Sequence, residues 1–116
     1  MLEYKYIFDY YNEPLFFVLT GDNQPDRAYI AIDNATWFTC ELDEKLESQL
    51  FNLTIKNFWH KVEEKGKLQV ARVENKKLRT YSINDYYKID PNIFNYLPKV
   101  DEKVDYEYLT NTKIDA

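Results

Sequence analysis

Glycine, cysteine and histidine are scarce in this chain: its 116 residues hold two Gly, one Cys and one His. A disulfide framework needs paired cysteines and a zinc site needs several Cys or His ligands, so neither fits. Two glycines cannot furnish a phosphate-cradling loop, a dinucleotide fingerprint or a nucleophile elbow. With only four prolines, 45% hydrophobic and 17% aromatic residues, the composition excludes a disordered or collagen-like chain. No apolar run approaches the roughly 20 residues that span a bilayer. The opening Met1-Leu2-Glu3-Tyr4-Lys5 lacks the charged-then-apolar order of a signal peptide. The expectation is a cytoplasmic protein without membrane association, cofactor or metal. A chain of this length buries roughly 65% of the surface its unfolded form exposes, enough for one core without crosslinks.

What is present is charge, unevenly spread. Met1 to Ile55 carries ten acids against Lys5, Arg27 and Lys45, a balance of −7. Lys56 to Arg79 carries eight bases against Glu63, Glu64 and Glu74, a balance of +5, and the remainder stands at −3. Clustered charge governs steering and association rather than fold.

Tyr4–Tyr11 is an aromatic-rich stretch of high β-propensity, and Asn12-Glu13-Pro14 is a turn signal. Leu15–Thr20, Ala28–Ile32 and Thr36–Glu41 follow as strands separated by the polar loop Gly21–Asp26 and the turn Asp33-Asn34. Such short, even spacing predicts an antiparallel meander, because parallel strands need longer crossovers. The period then changes to 3.6. Asp43 is placed to cap a helix whose stripe is Leu42, Leu46, Leu50 and Leu53. Thr54 is placed to cap a second, with Ile55, Phe58, Trp59 and Val62 on one side and Gly66 as its left-handed stop. Lys67–Glu74 and Leu78–Ile83 read as a hairpin around Asn75-Lys76-Lys77, and Asp90-Pro91 as the start of a short helical turn through Ile93, Phe94 and Tyr96. The predicted fold is α+β: an antiparallel sheet of four to six strands with two consecutive helices on one face, a single domain over residues 1–98. Residues 99–116 read as a charged C-terminal segment, partly ordered at most.

The strands carry apolar residues on both faces. Strict alternation puts Tyr4, Tyr6, Phe8 and Tyr10 on one side of the first strand and Lys5, Ile7, Asp9 and Tyr11 on the other. The later strands are no cleaner, and a sheet with one wet face alternates better than this. Two helices cover one face only. The other meets a partner, a second copy of the chain, or the segment Tyr86–Leu97 folded back. Aromatic side chains with polar tips suit a contact surface, which makes Tyr6, Tyr10, Tyr11, Tyr29 and Trp37 the candidate partner-binding residues, with Asp22, Asp26 and Glu41 as an acidic rim.

No catalytic constellation stands out, and no catalytic residue is assigned. Cys40 shares a strand face with Phe38 and Leu42 and reads as a small core residue. His60 lies about 150° from the apolar stripe of its helix, beside Asn57 and Glu64, which reads as an ordinary surface pair. Asp22 and Asp26 share a loop without calcium-loop spacing, so no metal is assigned there. The basic stretch Lys56–Arg79 raises nucleic acid as a ligand, but its aromatics Phe58 and Trp59 belong to the core stripe and the acidic pI near 4.9 opposes a polyanion. An acidic protein that engages the basic surface of a nucleic-acid-handling protein fits the charge better.

The opening Tyr10-Tyr11-Asn12-Glu13-Pro14-Leu15-Phe16-Phe17, then Arg27-Ala28-Tyr29-Ile30-Ala31-Ile32, then Thr36-Trp37-Phe38, resembles a family of small bacterial and phage domains of unknown function. In that family a Tyr-x-Gly-Pro-like turn joins two strands, a Trp-bearing strand follows, and a leucine-rich helix comes next. The resemblance spans about the first 65 residues and brings no catalytic residues; Glu13 stands where that turn commonly has Gly. Small size, net acidity, the aromatic sheet face and this resemblance together point to a non-catalytic protein-binding module, an inhibitor from a phage or mobile element acting on a host defence or nucleic-acid-handling protein. A homodimeric structural or regulatory domain is the alternative, and a small hydrolase using His60 or Cys40 is a third.

Overall fold

The computed structural model describes residues 2–11 and 13–103, and for residues 9–11, 13 and 14 the backbone alone. Six strands form one antiparallel sheet in the order of the chain: β1 (Leu2–Tyr11), β2 (Glu13–Gly21), β3 (Gln24–Asp33), β4 (Thr36–Glu41), β5 (Gln69–Glu74) and β6 (Lys77–Ser82). Helices α1 (Glu44–Asn52) and α2 (Ile55–Glu64) are inserted between β4 and β5. A short helix α3 (Ile83–Ile89) and a 3₁₀ turn (Ile93–Tyr96) follow β6. The fold is the expected α+β sheet with its helices packed on it.

The helix boundaries follow from local chemistry. The Asp43 carboxylate accepts from the Leu46 amide at 2.8 Å, and the Thr54 hydroxyl accepts from the Asn57 amide at 3.2 Å. Gly66, at φ +68°, ends α2 in the left-handed region that costs a glycine little. Two amides of α2's first turn find acceptors far along the chain: Ile55 donates to the Glu102 carbonyl at 2.9 Å and Lys56 to the Val100 carbonyl at 3.0 Å. Val100 and Glu102 thus supply acceptors for two amides of the helix start that the Thr54 cap does not reach, and the domain's contacts run past residue 98. Residues 104–116 lie outside the described part.

Several elements depart from the expected layout. The expected loop Gly21–Asp26 is only the turn Asp22-Asn23, with Gly21 ending β2 and Gln24, Pro25 and Asp26 already in β3. Glu13 and Pro14 are already in β2, opposite Tyr11 and Tyr10, so the turn is shorter than its composition suggests. The β5–β6 turn is the two-residue Asn75-Lys76, both at positive φ (51° and 65°), and Lys77 begins β6. Ile83 opens α3 rather than ending a strand, because the Ser82 hydroxyl accepts from the Asp85 amide at 3.1 Å. Asp90 accordingly closes α3; its carboxylate accepts from the Asn92 amide at 2.9 Å, and Asn92, not Asp90, precedes the 3₁₀ turn.

The main core lies between the sheet and the helices. Phe16, Val18, Phe38 and Val70 from the strands meet Leu46, Leu50, Phe58, Trp59 and Val62 from α1 and α2. Tyr86, Ile93 and Leu97 join this same core. The alternative in which the segment Tyr86–Leu97 roofs the opposite face is therefore overturned: it packs beside α1 and α2.

Candidate functional site

The face away from the helices carries a second apolar cluster, Ile7, Phe17, Tyr29 and Ala71, with Tyr4, Leu19 and Trp37 packed against it. No described helix covers it. Its geometry starts in β1, where the register slips between Tyr4 and Tyr6 and again between Ile7 and Asp9. Lys5 is the extra residue of the first bulge, and Phe8 of the second. The first bulge reverses the alternation. Tyr4 meets Phe17 edge-on at 5.3 Å on the open face, while Tyr6 meets the α1 residue Phe51 at 5.1 Å on the helix side. Tyr6 is therefore removed from the candidate contact face. Tyr10 and Tyr11 end β1, and their side chains lie outside the described residues.

Tyr29 and Trp37 share the open face but differ in exposure. Tyr29 stacks on Phe17 at 5.3 Å with ring planes 16° apart and keeps 8% of its surface exposed. Burial pushes its phenol above the ordinary range, partly offset by Arg27 and the Thr39 hydroxyl. It is a packed residue, not the free contact residue the sequence suggests. Trp37 is half-buried. Its cross-strand neighbours are Ala31 on β3 and Ala71 on β5, so no tall side chain stands opposite the indole on either flank. Farther along, the directly paired Val73 and Leu78 are both exposed.

The acidic rim is partly spent. Lys5, turned to the helix side by its bulge, sits 2.8 Å from both Asp26 and Glu47. Glu41 lies 3.3 Å from Arg27, which also donates to the Gln69 side chain at 2.6 Å. Asp22, exposed in the β2–β3 turn, makes no ion pair with a described residue. The Lys5 ammonium holds the Asp26 carboxyl below its usual range, and the Leu46 amide with Lys67 does the same for Asp43. A lowered carboxyl contributes stability that is present above the unfolded value and is lost as pH falls through the folded one. Melting temperature should therefore drop as pH falls from about 5 to about 3, and less steeply in Lys5→Met, where Asp26 has lost its partner. Equal slopes in both proteins would show that Lys5 does not set the Asp26 carboxyl.

Cys40 and His60, the two side chains considered for hydrolysis, lie in different surroundings. Cys40 is fully buried and its thiol is pushed up to about 12 by that burial. His60 is exposed on α2, so the two do not form a nucleophile–base pair. A cleft of about 370 Å³ at the β4–β6 end is lined by Glu41, Lys67, Gln69, Ser82 and Asn84, but its one hydroxyl, Ser82, caps α3. Among the described residues no three His, Cys, Asp or Glu side chains gather as metal ligands, and no helix is long and apolar enough to cross a membrane. No protein-family model, curated protein or solved structure matches the chain, so the resemblance of its first 65 residues stands on the quoted motifs alone.

Proposed function

We propose that this is a non-catalytic protein-binding module whose contact surface is the sheet face opposite the helices, centred on Trp37. The observation that carries the reading is the placement of that indole between Ala31 and Ala71, on a face that no described helix covers and that is floored by a second apolar cluster. A large aromatic ring with low neighbours offers area without further ordering cost, the usual character of an interface anchor. The partner is a protein with a basic surface of the kind that handles nucleic acid, which the module occupies as an inhibitor. The net charge of −5 and the exposed Asp22 support that choice.

The test is site-resolved. A photo-crosslinking residue placed at Trp37 in the native cell is expected to yield one discrete heteroprotein adduct, and the same group at the exposed His60 none. Trp37→Ala should then weaken the purified partner's binding by about 2 kcal/mol or more, roughly thirtyfold. Adducts of equal yield from both positions, or from neither, would overturn the reading.

A further inference from the structure

The two edges of the sheet are not alike. β1 is broken by three register irregularities, a common way to keep an edge from pairing. β6 has none: Ser82 to Lys77 pairs residue for residue with Gln69 to Glu74. Every β6 residue except Tyr81 is exposed. The apolar surface is skewed the same way. Among the described residues eight large apolar side chains are exposed, and all but Leu2 lie at Val73 or beyond, including Leu78 on β6 and Tyr87 and Ile89 on α3, the helix packed beside β6.

The hydrogen-bonding parity of β6 is set by its turn. The two-residue turn closes on the bonded pair Glu74–Lys77, so Arg79 and Tyr81 also turn their backbone groups toward β5. Leu78 and Thr80 turn theirs outward, with the Ser82 amide; the Ser82 carbonyl opens α3. We propose that β6 is a homodimer seam, two copies pairing antiparallel about a two-fold axis through Thr80 so that their sheets become one.

Charge selects both the occupant and the register. A dyad centred on Arg79 sets two guanidinium groups directly opposite each other, which is destabilising. Centred on Thr80, hydroxyl meets hydroxyl and Arg79 meets the partner's Tyr81. That is the ring contact Arg79 already makes within its own chain at 4.7 Å. The Tyr81 hydroxyl donates to Glu74 at 2.6 Å, so the same position offers Arg79 a carboxylate. A foreign strand would meet Arg79 without this built-in complement, while Lys77 falls opposite the partner's Ile83, past the end of the partner's strand. The seam is independent of the Trp37 face, and either can fail alone.

Sedimentation equilibrium from about 1 to 200 μM is expected to show conversion to a species of twice the 14.0 kDa chain mass. Leu78 and Thr80 amides should exchange at least tenfold more slowly at the high end, which needs no variant. Thr80→Pro removes an outward amide that β5 does not use, and should weaken the dimer at least tenfold while the monomer still melts cooperatively; Trp37→Lys should leave it intact. A monomer at every concentration, unchanged Leu78 and Thr80 exchange, or a dimer lost in Trp37→Lys but not in Thr80→Pro would each overturn the seam. The last would place self-association on the open face instead.

Discussion

Phe16→Ala is expected to lower the unfolding free energy by about 3–5 kcal/mol, much of the 5–15 kcal/mol that holds a small domain together. Phe16 is 1% exposed and meets three rings, Phe8 at 4.8 Å, Trp59 at 5.8 Å and Phe58 at 6.3 Å. Those rings are anchored separately, in β1 and in α2, so the void left by truncation closes poorly and the cavity cost adds to the lost transfer energy. Urea unfolding measures it: the midpoint should fall with the slope unchanged. A loss under about 1 kcal/mol would mean that α2 is not seated on β2.

The second large effect is on the opposite face. Tyr29→Ala should cost about 3 kcal/mol, because the side chain is packed against Phe17 and loses both burial and ring stacking. Trp37→Ala, although it deletes a larger ring, should cost only about 1 kcal/mol, since the half-buried indole rests on alanines. This inverted order separates flooring from contact surface. The reverse order in matched denaturation curves would exchange the roles of the two residues, and the docking face would lose its centre.

The helix caps and the left-handed stop were legible because each depends on a few consecutive residues: Asp43 with Leu46, Thr54 with Asn57, and Gly66. The β1–β4 meander and the β5–β6 hairpin were legible from strand spacing, but the β4–β5 pairing that joins them across the two helices was not. The β1 bulges were not. An extra residue at Lys5 is defined by what Leu19 and Val18 pair with, and no local pattern in Tyr4–Tyr11 marks it. One slip was enough to send Tyr6 to the helix side. The helix α3 was hidden for a different reason: Ile83–Ile89 is rich in β-branched and aromatic residues of low helix propensity, and its start depends on the Ser82 hydroxyl. Tyr29 and Trp37 look alike as aromatic strand residues. Their difference in exposure comes from cross-strand neighbours, Phe17 for one and two alanines for the other, which only the register reveals.

The sealed thiol of Cys40 has a consequence of its own. Because it is fully enclosed beneath the helices and disfavours its anion, alkylating or oxidising reagents meet it only when the layers part. The chain therefore carries a native clock for its own breathing: the rate at which that sulfur is modified counts how often the helical lid lifts from the strands.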